Sequence, residues 1–520
     1  MRIEQPDVTP NPAPAIPAKK YVTKPEPSTD TTTLIVVDNP KDFVLDVPNV
    51  QVVSARTYLS DSALAARRRL KVFNLCKSYR YQSVGYYVSL LAEARGHRPL
   101  PSVSTIQDMK MQTLIRFTSD ELDDLIQKTL ELVPTSKVEV HIYFGRNVYS
   151  LYEKLALQLF NLFQAPFLRA DFVKRDGNWE LQAIGPIATS DIPQREVPHV
   201  IGFSREYFAG KRRTSTKEKV PRYDLAILYD AKDKMSPSDE KAIKRIVRAA
   251  EAVDIGVELI TKDDYARIGE FDALLIRETT AVNHHTYRFA RRAAAEGLVV
   301  IDDPVSILRC TNKVYLAELL QRHNIPVPKT LVVHDDNVDQ VEKILGLPCV
   351  LKQPDSAFSQ GVMRADTQEQ LESALEDFLE RSELVIAQEY IPTEFDWRVG
   401  VLDKKPLFIC KYFMARRHWQ IVKNNSGSGP DFGRVQCVPA EEAPPELIRV
   451  AIGAANLIGD GLYGVDVKQL GDKFLVIEVN DNPNIDAGYE DSILKDTLYT
   501  RLIDVFVRRL EARTDRNARP

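Results

Sequence analysis

Residues 462–485, LYGVDVKQLGDKFLVIEVNDNPNI, leave the chain little choice of local structure. β-Branched residues flank polar ones on either side of Gly471-Asp472, the pattern of two short strands joined by a tight turn. Side chains two apart in a strand share a face, so Glu478 and Asn480 point the same way. An antiparallel partner can bring Asp466 beside them. Two carboxylates and one amide oxygen form a hard oxygen site, suited to Mg²⁺ carrying phosphates and waters rather than to zinc or a soft metal. The plainer reading is an edge hairpin with solvated acids, and an isolated Asp or Glu would favour it. These acids stand inside apolar runs, where an unpaired charge is costly, and Asn482-Pro483-Asn484 follows at once. The metal reading is therefore preferred.

The run GVDV followed by VIEVNDNPN resembles the metal-binding end of the ATP-grasp ligases, in particular the RimK-like branch that joins amino acids to carboxylates. The shared pattern is V-D, then hydrophobic-E-V-N, then a short Pro-containing turn. Carried over by position, the resemblance implies Asp466, Glu478 and Asn480 as Mg²⁺ ligands, with Mn²⁺ the alternative ion. The turn Asp481-Asn482-Pro483-Asn484 is bulkier and more polar than the usual family form.

A chain of 520 residues has room for about three to four domains. Its 44% apolar and 27% charged residues are typical of a soluble globular protein, and a net charge of −4 gives no global attraction to nucleic acid or membrane. No apolar run is long enough to span a bilayer. Residues 1–30 hold Pro6, Pro10, Pro12, Pro14, Pro17, Pro25 and Pro27 with few bulky apolar residues, a composition for a disordered tail rather than a signal peptide. Cys76, Cys310, Cys349, Cys410 and Cys437 are scattered, odd in number and without C-x-x-C spacing, which predicts reduced structural thiols in a cytoplasmic protein.

After the tail, residues 34–37 and 70–76 read as strands, and residues 78–94 take helical spacing with Gly96 as the stop. The run NLCKSYRYQSVGYYVSLLAEARGH at 74–97 resembles a domain that precedes the ligase core in a RimK-like subfamily, which implies an N-terminal α/β domain over 31–205. Within it Lys77, Tyr79, Arg80 and Tyr81 either bind an anion or a peptide carboxylate, or pack by their stems. His97 and His141 lie apart and read as structural. Residues 206–221 form a basic linker without the interleaved aromatics of a nucleic-acid site. Residues 222–303 alternate strands and helices, the first helix starting at Ser236-Pro237-Ser238-Asp239 with Ser236 as its cap. This small parallel α/β domain lacks G-x-G-x-x-G and resembles the unit that precedes the ATP-grasp core.

Residues 304–514 make up the ATP-grasp region, with 515–520 a tail. Asn312-Lys313 opens a helix, a strand at 348–352 ends in Lys352, and residues 354–362 form a polar loop able to donate N–H groups to phosphates. The resemblance implies Lys313 and Lys352 at the nucleotide phosphates, with Ser359, Gln360 and Gly361 in the loop over them. It implies Gln388, Glu389, Tyr390 and Ile391 at the adenine edge and Asp396 at the ribose hydroxyls. Arg398 and Lys411, ladder-spaced across a turn at 403–405, are expected to face the phosphates as the catalytic cations. Lys423 and Asn424 match a basic residue and an Asn near the triphosphate. Ser426-Gly427-Ser428-Gly429-Pro430 lacks G-K-[ST] and reads as a flexible turn rather than a phosphate loop. Helices over 446–457 and 496–510 complete the region.

The resemblance thus implies a multidomain α/β chain: an N-terminal α/β domain, a small parallel pre-ATP-grasp domain and a C-terminal α+β ATP-grasp fold. The expected activity is an ATP- and Mg²⁺-dependent carboxylate–amine ligation through an acyl phosphate, releasing ADP and phosphate. The expected partners are a small amino-acid or peptide substrate, glutamate among them, or a protein terminus, with neither nucleic acid nor membrane, and with homo-oligomerisation left open. The rival is a catalytically degenerate ATP-binding regulatory or scaffold protein, which the intact set Asp466, Glu478, Asn480, Lys313 and Lys352 disfavours.

Overall fold

The structure is a computed structural model that describes residues 33–41, 43, 50–67, 70–209, 221–233, 236–355, 361–415, 418–425 and 429–517. The Pro-rich stretch 1–30, the basic run 211–219 and residues 426–428 of the expected flexible turn lie outside them. No helix among the described residues is long and apolar enough to cross a membrane.

Two sheets build the N-terminal part. The Thr33–Val37 strand is buried throughout and lies between Val50–Ser54 and Lys71–Asn74, with Arg98–Leu100 at the edge, all parallel. The Lys137–Tyr143, Phe167–Arg175 and Asn178–Pro186 strands form a separate antiparallel meander that the sequence reading had not resolved. The Val84–Ala94 helix starts later than expected. Ser83 caps it by accepting the Tyr86 N–H, so residues 78–83 are turn rather than helix. Tyr79 is buried there and donates to the Asn74 carbonyl at 2.5 Å, a structural tie. The Val197–Ala209 helix runs into the stretch expected to be linker from 206 onward.

A parallel sheet follows in the order Val299–Ile301, Ala273–Ile276, Tyr223–Leu228, Ile255–Ile260. The Glu240–Ala252 helix turns Ala242, Ile243, Ile246 and Ala250 onto one face, and the Asp496–Asn517 helix packs on the same core. The His285–Ala295 helix covers the other face. The helix cap is Asp239, which accepts the Ala242 N–H at 2.7 Å, and not Ser236. Ser236 spends its hydroxyl on the Arg277 carbonyl instead, a tertiary contact with no local signal.

Two larger antiparallel sheets and a two-stranded ladder of Val422–Asn425 with Gly429–Phe432 complete the fold. One runs Thr330–Val333, Val385–Glu389, Cys349–Lys352, Val362–Ala365; the other runs Val435–Cys437, Lys405–Phe413, Phe395–Leu402, Leu462–Leu470, Lys473–Asp481. The Leu462–Leu470 and Lys473–Asp481 strands are the expected hairpin, with Gly471 at positive φ in its turn. Val465, Val467, Val476 and Val479 point to one side and bury against the Pro445–Ile458 helix. That leaves the polar residues on the opposite face. The last helix continues to Asn517, beyond the expected end at 510 and into the expected tail. Cys410 and Cys437, 27 residues apart, face each other across neighbouring strands and are joined as a disulfide. This corrects the reading of reduced thiols for those two, because motif spacing cannot register a pairing made by strand register. Cys76, Cys310 and Cys349 are free and buried.

Candidate active site

Antiparallel register places Arg398, Asp466 and Glu478 in one row across three strands, Arg398 opposite Asp466 and Asp466 opposite Glu478. Arg398 grips Asp466 with two parallel bonds of 2.7 Å, from Nε and Nη2. Asn480 donates to Asp466 at 3.1 Å. Lys313 Nζ stands 3.2 Å from Glu478. Burial opposes the charge of both acids. For Asp466 it outweighs Arg398 and lifts the pKa above the ordinary value. For Glu478 the neighbouring Lys313 and Lys352 outweigh burial and hold the pKa down.

Lys313 arrives from the first turn of the Lys313–Arg322 helix, which Asn312 caps. Its backbone N–H donates to the Pro354 carbonyl at 2.9 Å, and the Asn312 side chain bonds Asp355. These bonds tie the helix start to the loop that follows Lys352. Lys352 is buried at the end of its strand and donates to Gln388 at 2.9 Å, while Gln388 donates to Thr330. Burial pushes the lysine down to about 8, Glu478 opposing and Lys313 and Lys468 adding to the shift. The two lysines, Gln388 and Glu478 line a cleft between the two antiparallel sheets, floored by Leu316, Val327 and Ile386. An apolar floor with two cations and an acid at one end suits an aromatic base joined to a polyanion.

Asp396 lies on the same sheet face as Arg398, two residues along the strand. It accepts from Thr393 at 2.9 Å and from Lys468 at 2.6 Å. Lys468 was missed by the sequence reading. Its signal was the alternation that puts it on the Asp466 face, two residues on. Lys411 is not in the site. Its opposite residue is Trp397, whereas Arg398 faces Cys410, so Lys411 points to the other side of the sheet. There its ammonium lies 4.6 Å from the Phe395 ring centre and 4.8 Å from that of Trp397. Glu389 ends its strand with its backbone N–H bonded to the Lys329 carbonyl and its carboxylate on the Lys329 N–H. Tyr390 and Ile391 lie just beyond that ladder, and the Arg364 guanidinium covers the Tyr390 ring at 5.1 Å. Gly361 closes the phosphate-loop candidate at φ +68°, its carbonyl accepting the Gln353 N–H. Ser359 and Gln360 lie outside the described residues. Lys423 and Asn424 belong to the Val422–Asn425 strand, and their side chains lie outside the described part.

Among the described residues no group of three His, Cys, Asp or Glu side chains is arranged to hold a metal. Asp466, Glu478 and the Asn480 amide form a mixed set, and they fit a hard divalent cation in donor type and in sharing one face. The arrangement can neutralise and orient a polyphosphate at one end of an apolar cleft.

A cleft between two antiparallel sheets, lined by two lysines and an acid, is the architecture of the ATP-grasp class of ligase fold. Sequence comparison agrees. Residues 55–201 match the RimK-like ATPgrasp N-terminal domain and residues 310–412 the RimK-like ATP-grasp domain. The chain is 32% identical over 196 residues to "Alpha-aminoadipate--LysW ligase LysX" of Saccharolobus solfataricus, covering 36% of this chain and 67% of that one. It is 27% identical over 230 residues to "Probable alpha-L-glutamate ligase" of Stutzerimonas stutzeri, covering 44% and 73%. A solved RimK domain protein ATP-grasp from Sphaerobacter thermophilus aligns at TM-score 0.42 and 19% identity over 54% of this chain and 98% of that one. The chain belongs to the RimK-like ATP-grasp family, and it is an enzyme of the ligase type.

Proposed function

We propose that this protein joins a carboxylate to an amine at the expense of ATP, with an acyl phosphate as intermediate. The observation that carries the reading is that Lys313, Lys352 and Glu478 line one cleft, with Asp466 and Arg398 next in the row that Glu478 ends. Lys313 and Lys352 hold the polyphosphate, and the Thr330–Gln388 side of the cleft takes the base. Asp466, Glu478 and Asn480 would hold Mg²⁺, or Mn²⁺, which when bound supplies charge neutralisation at the phosphates. Asp396, held by Lys468, is placed for the ribose. The chain's groups position the reactants and stabilise charge, as phosphoryl transfer requires. An oxygen of the substrate carboxylate bonds to the γ-phosphorus as the bond to the β–γ bridging oxygen breaks, and ADP departs. The amine then bonds to the acyl carbon, phosphate leaves and the amine's proton is lost.

The relatives named as a glutamate ligase and an aminoadipate ligase make an amino acid the favoured amine, and an amino acid, peptide or protein terminus the favoured carboxylate. The chain is read as an N-terminal unit at 31–205, a pre-ATP-grasp unit at 222–303 and an ATP-grasp unit at 304–514, working in the cytoplasm where ATP is abundant.

The test pairs the amino acids as acid and amine with ATP and Mg²⁺, then repeats the productive pair with ¹⁸O in the acid. One label should appear in released phosphate and none in ADP. Glu478→Gln should lose about 100-fold or more of this turnover while keeping its melting temperature. AMP with pyrophosphate, or unlabelled phosphate, would overturn the acyl-phosphate route.

A further inference from the structure

Amide formation also needs a proton acceptor at the amine, and none of the residues placed above supplies one. The parallel sheet offers a pair that the steps above do not use. Its Ala273–Ile276 strand ends in Arg277-Glu278, and the His285–Ala295 helix begins nine residues later than Ile276. Between these ends Glu278 Oε2 lies 2.5 Å from His285 Nε2. The carboxylate side chain is 7% exposed and the imidazole 18%, so the pair is sheltered yet open at the histidine. Glu278 thereby takes one ring nitrogen and leaves Nδ1 as the atom that a ligand can meet.

The pair is fixed to the hairpin that carries the oxygen ligands. Asn482, two residues beyond Asn480, donates from its side chain to the Glu278 carbonyl at 2.5 Å. Arg277, fully buried, donates to Asn482 Oδ1 at 2.6 Å and to the Pro483 carbonyl at 2.8 Å. It also donates to Ser238 and the Pro237 carbonyl, which binds the three strand-end loops together. The imidazole therefore sits outside the carboxyl ends of parallel strands, where ligands of open α/β sheets bind, and its strand end is bonded to the loop that follows Asn480.

We infer that His285, oriented by Glu278, is the general base that takes the proton from the attacking amine. This rests on the ligase reading above. As nitrogen bonds to the acyl carbon, its N–H proton passes to His285 Nδ1 and phosphate leaves with the acyl–oxygen electron pair. The imidazolium is stabilised by the Glu278 carboxylate, and bulk water then removes the proton. The titratable groups against this imidazole are Glu278 from the strand end and His284, whose ring centre lies 3.9 Å away with the ring planes tilted by 47°, while Arg288 and Asp233 act on His284.

Hydroxylamine separates the two readings, because it is a neutral nucleophile near pH 7 and needs little help from a base. With ATP, Mg²⁺ and the productive acid, wild type should form both hydroxamate and amide. In His285→Gln the hydroxamate-to-amide ratio in direct competition should rise at least tenfold. Glu278→Gln should raise the same ratio, and it serves as the second variant if His285→Gln does not fold. An unchanged partition ratio in the folded variants would overturn the base assignment while leaving the ligase reading intact. Absence of hydroxamate and of ¹⁸O transfer in wild type would overturn the ligase reading itself.

Discussion

Lys352 is the residue at which the proposed phosphate contact can be tested against burial. A lysine normally titrates near ~10.4, and burial brings this one down to about 8. Between those values the unfolded chain holds more protons than the folded one, so ligand-free stability rises with pH across that window. Polyphosphate binding should run the other way, since the lysine loses its charge as pH climbs through about 8. ATP affinity should therefore fall by about tenfold per pH unit above the midpoint. Calorimetry at fixed Mg²⁺ and ionic strength from neutral to alkaline pH would show it, and Lys352→Arg should remove the inflection. An affinity flat across that range would place the phosphates elsewhere.

At the scale of elements, parity in the pairing of the Phe395–Leu402 and Lys405–Phe413 strands decides which cation reaches the site. Both strands were legible as a hairpin in the sequence, but their register was not. Because side chains alternate, a slip of one residue moves a whole set to the other face. Arg398 falls opposite Cys410 and joins the Asp466 row, whereas Lys411 falls opposite Trp397 and covers two aromatic rings. Arg398→Met should strip Asp466 of its partner and abolish most turnover. Lys411→Met should lower stability by about 0.5–2 kcal/mol through the lost cation–π contacts and keep kcat within about twofold, an effect of less than 1 kcal/mol on the barrier. Urea melts and phosphate-release assays on both variants would separate them. Equal losses of turnover would return Lys411 to the site.

Over the whole molecule, the N-terminal part meets the parallel-sheet unit through Ala266, which packs into the N-terminal apolar cluster, and through a set of polar contacts. Arg98 donates to the Asp272 carboxylate and to the Glu270 carbonyl, and Lys71 pairs with Asp224 at 3.6 Å. Gln164 links the Tyr265 carbonyl and Arg292. Arg98→Met leaves Asp272 half-buried without its cation, which should cost about 1.5–3 kcal/mol for a charged hydrogen bond. The loss should appear as earlier exposure of the N-terminal part to protease or as a separate early melting step. A single unchanged transition would mean that the apolar contacts carry the docking alone.

The sequence by itself determined what is local or periodic. The Gly471-Asp472 turn, the face shared by Glu478 and Asn480, the helix opening at Lys313 and the parallel α/β pattern all follow from period and turn chemistry. Tertiary structure decided what depends on register and on contacts distant in sequence. It alone put Asp466 opposite Glu478, turned Lys411 away, paired Cys410 with Cys437 and moved the helix cap from Ser236 to Asp239. It also brought Lys468 to Asp396 and Glu278 to His285. The physical reason is the same in each case. Alternation along a strand fixes only relative orientation, whereas the partner a side chain meets is set by how whole elements slide and dock to bury their apolar faces.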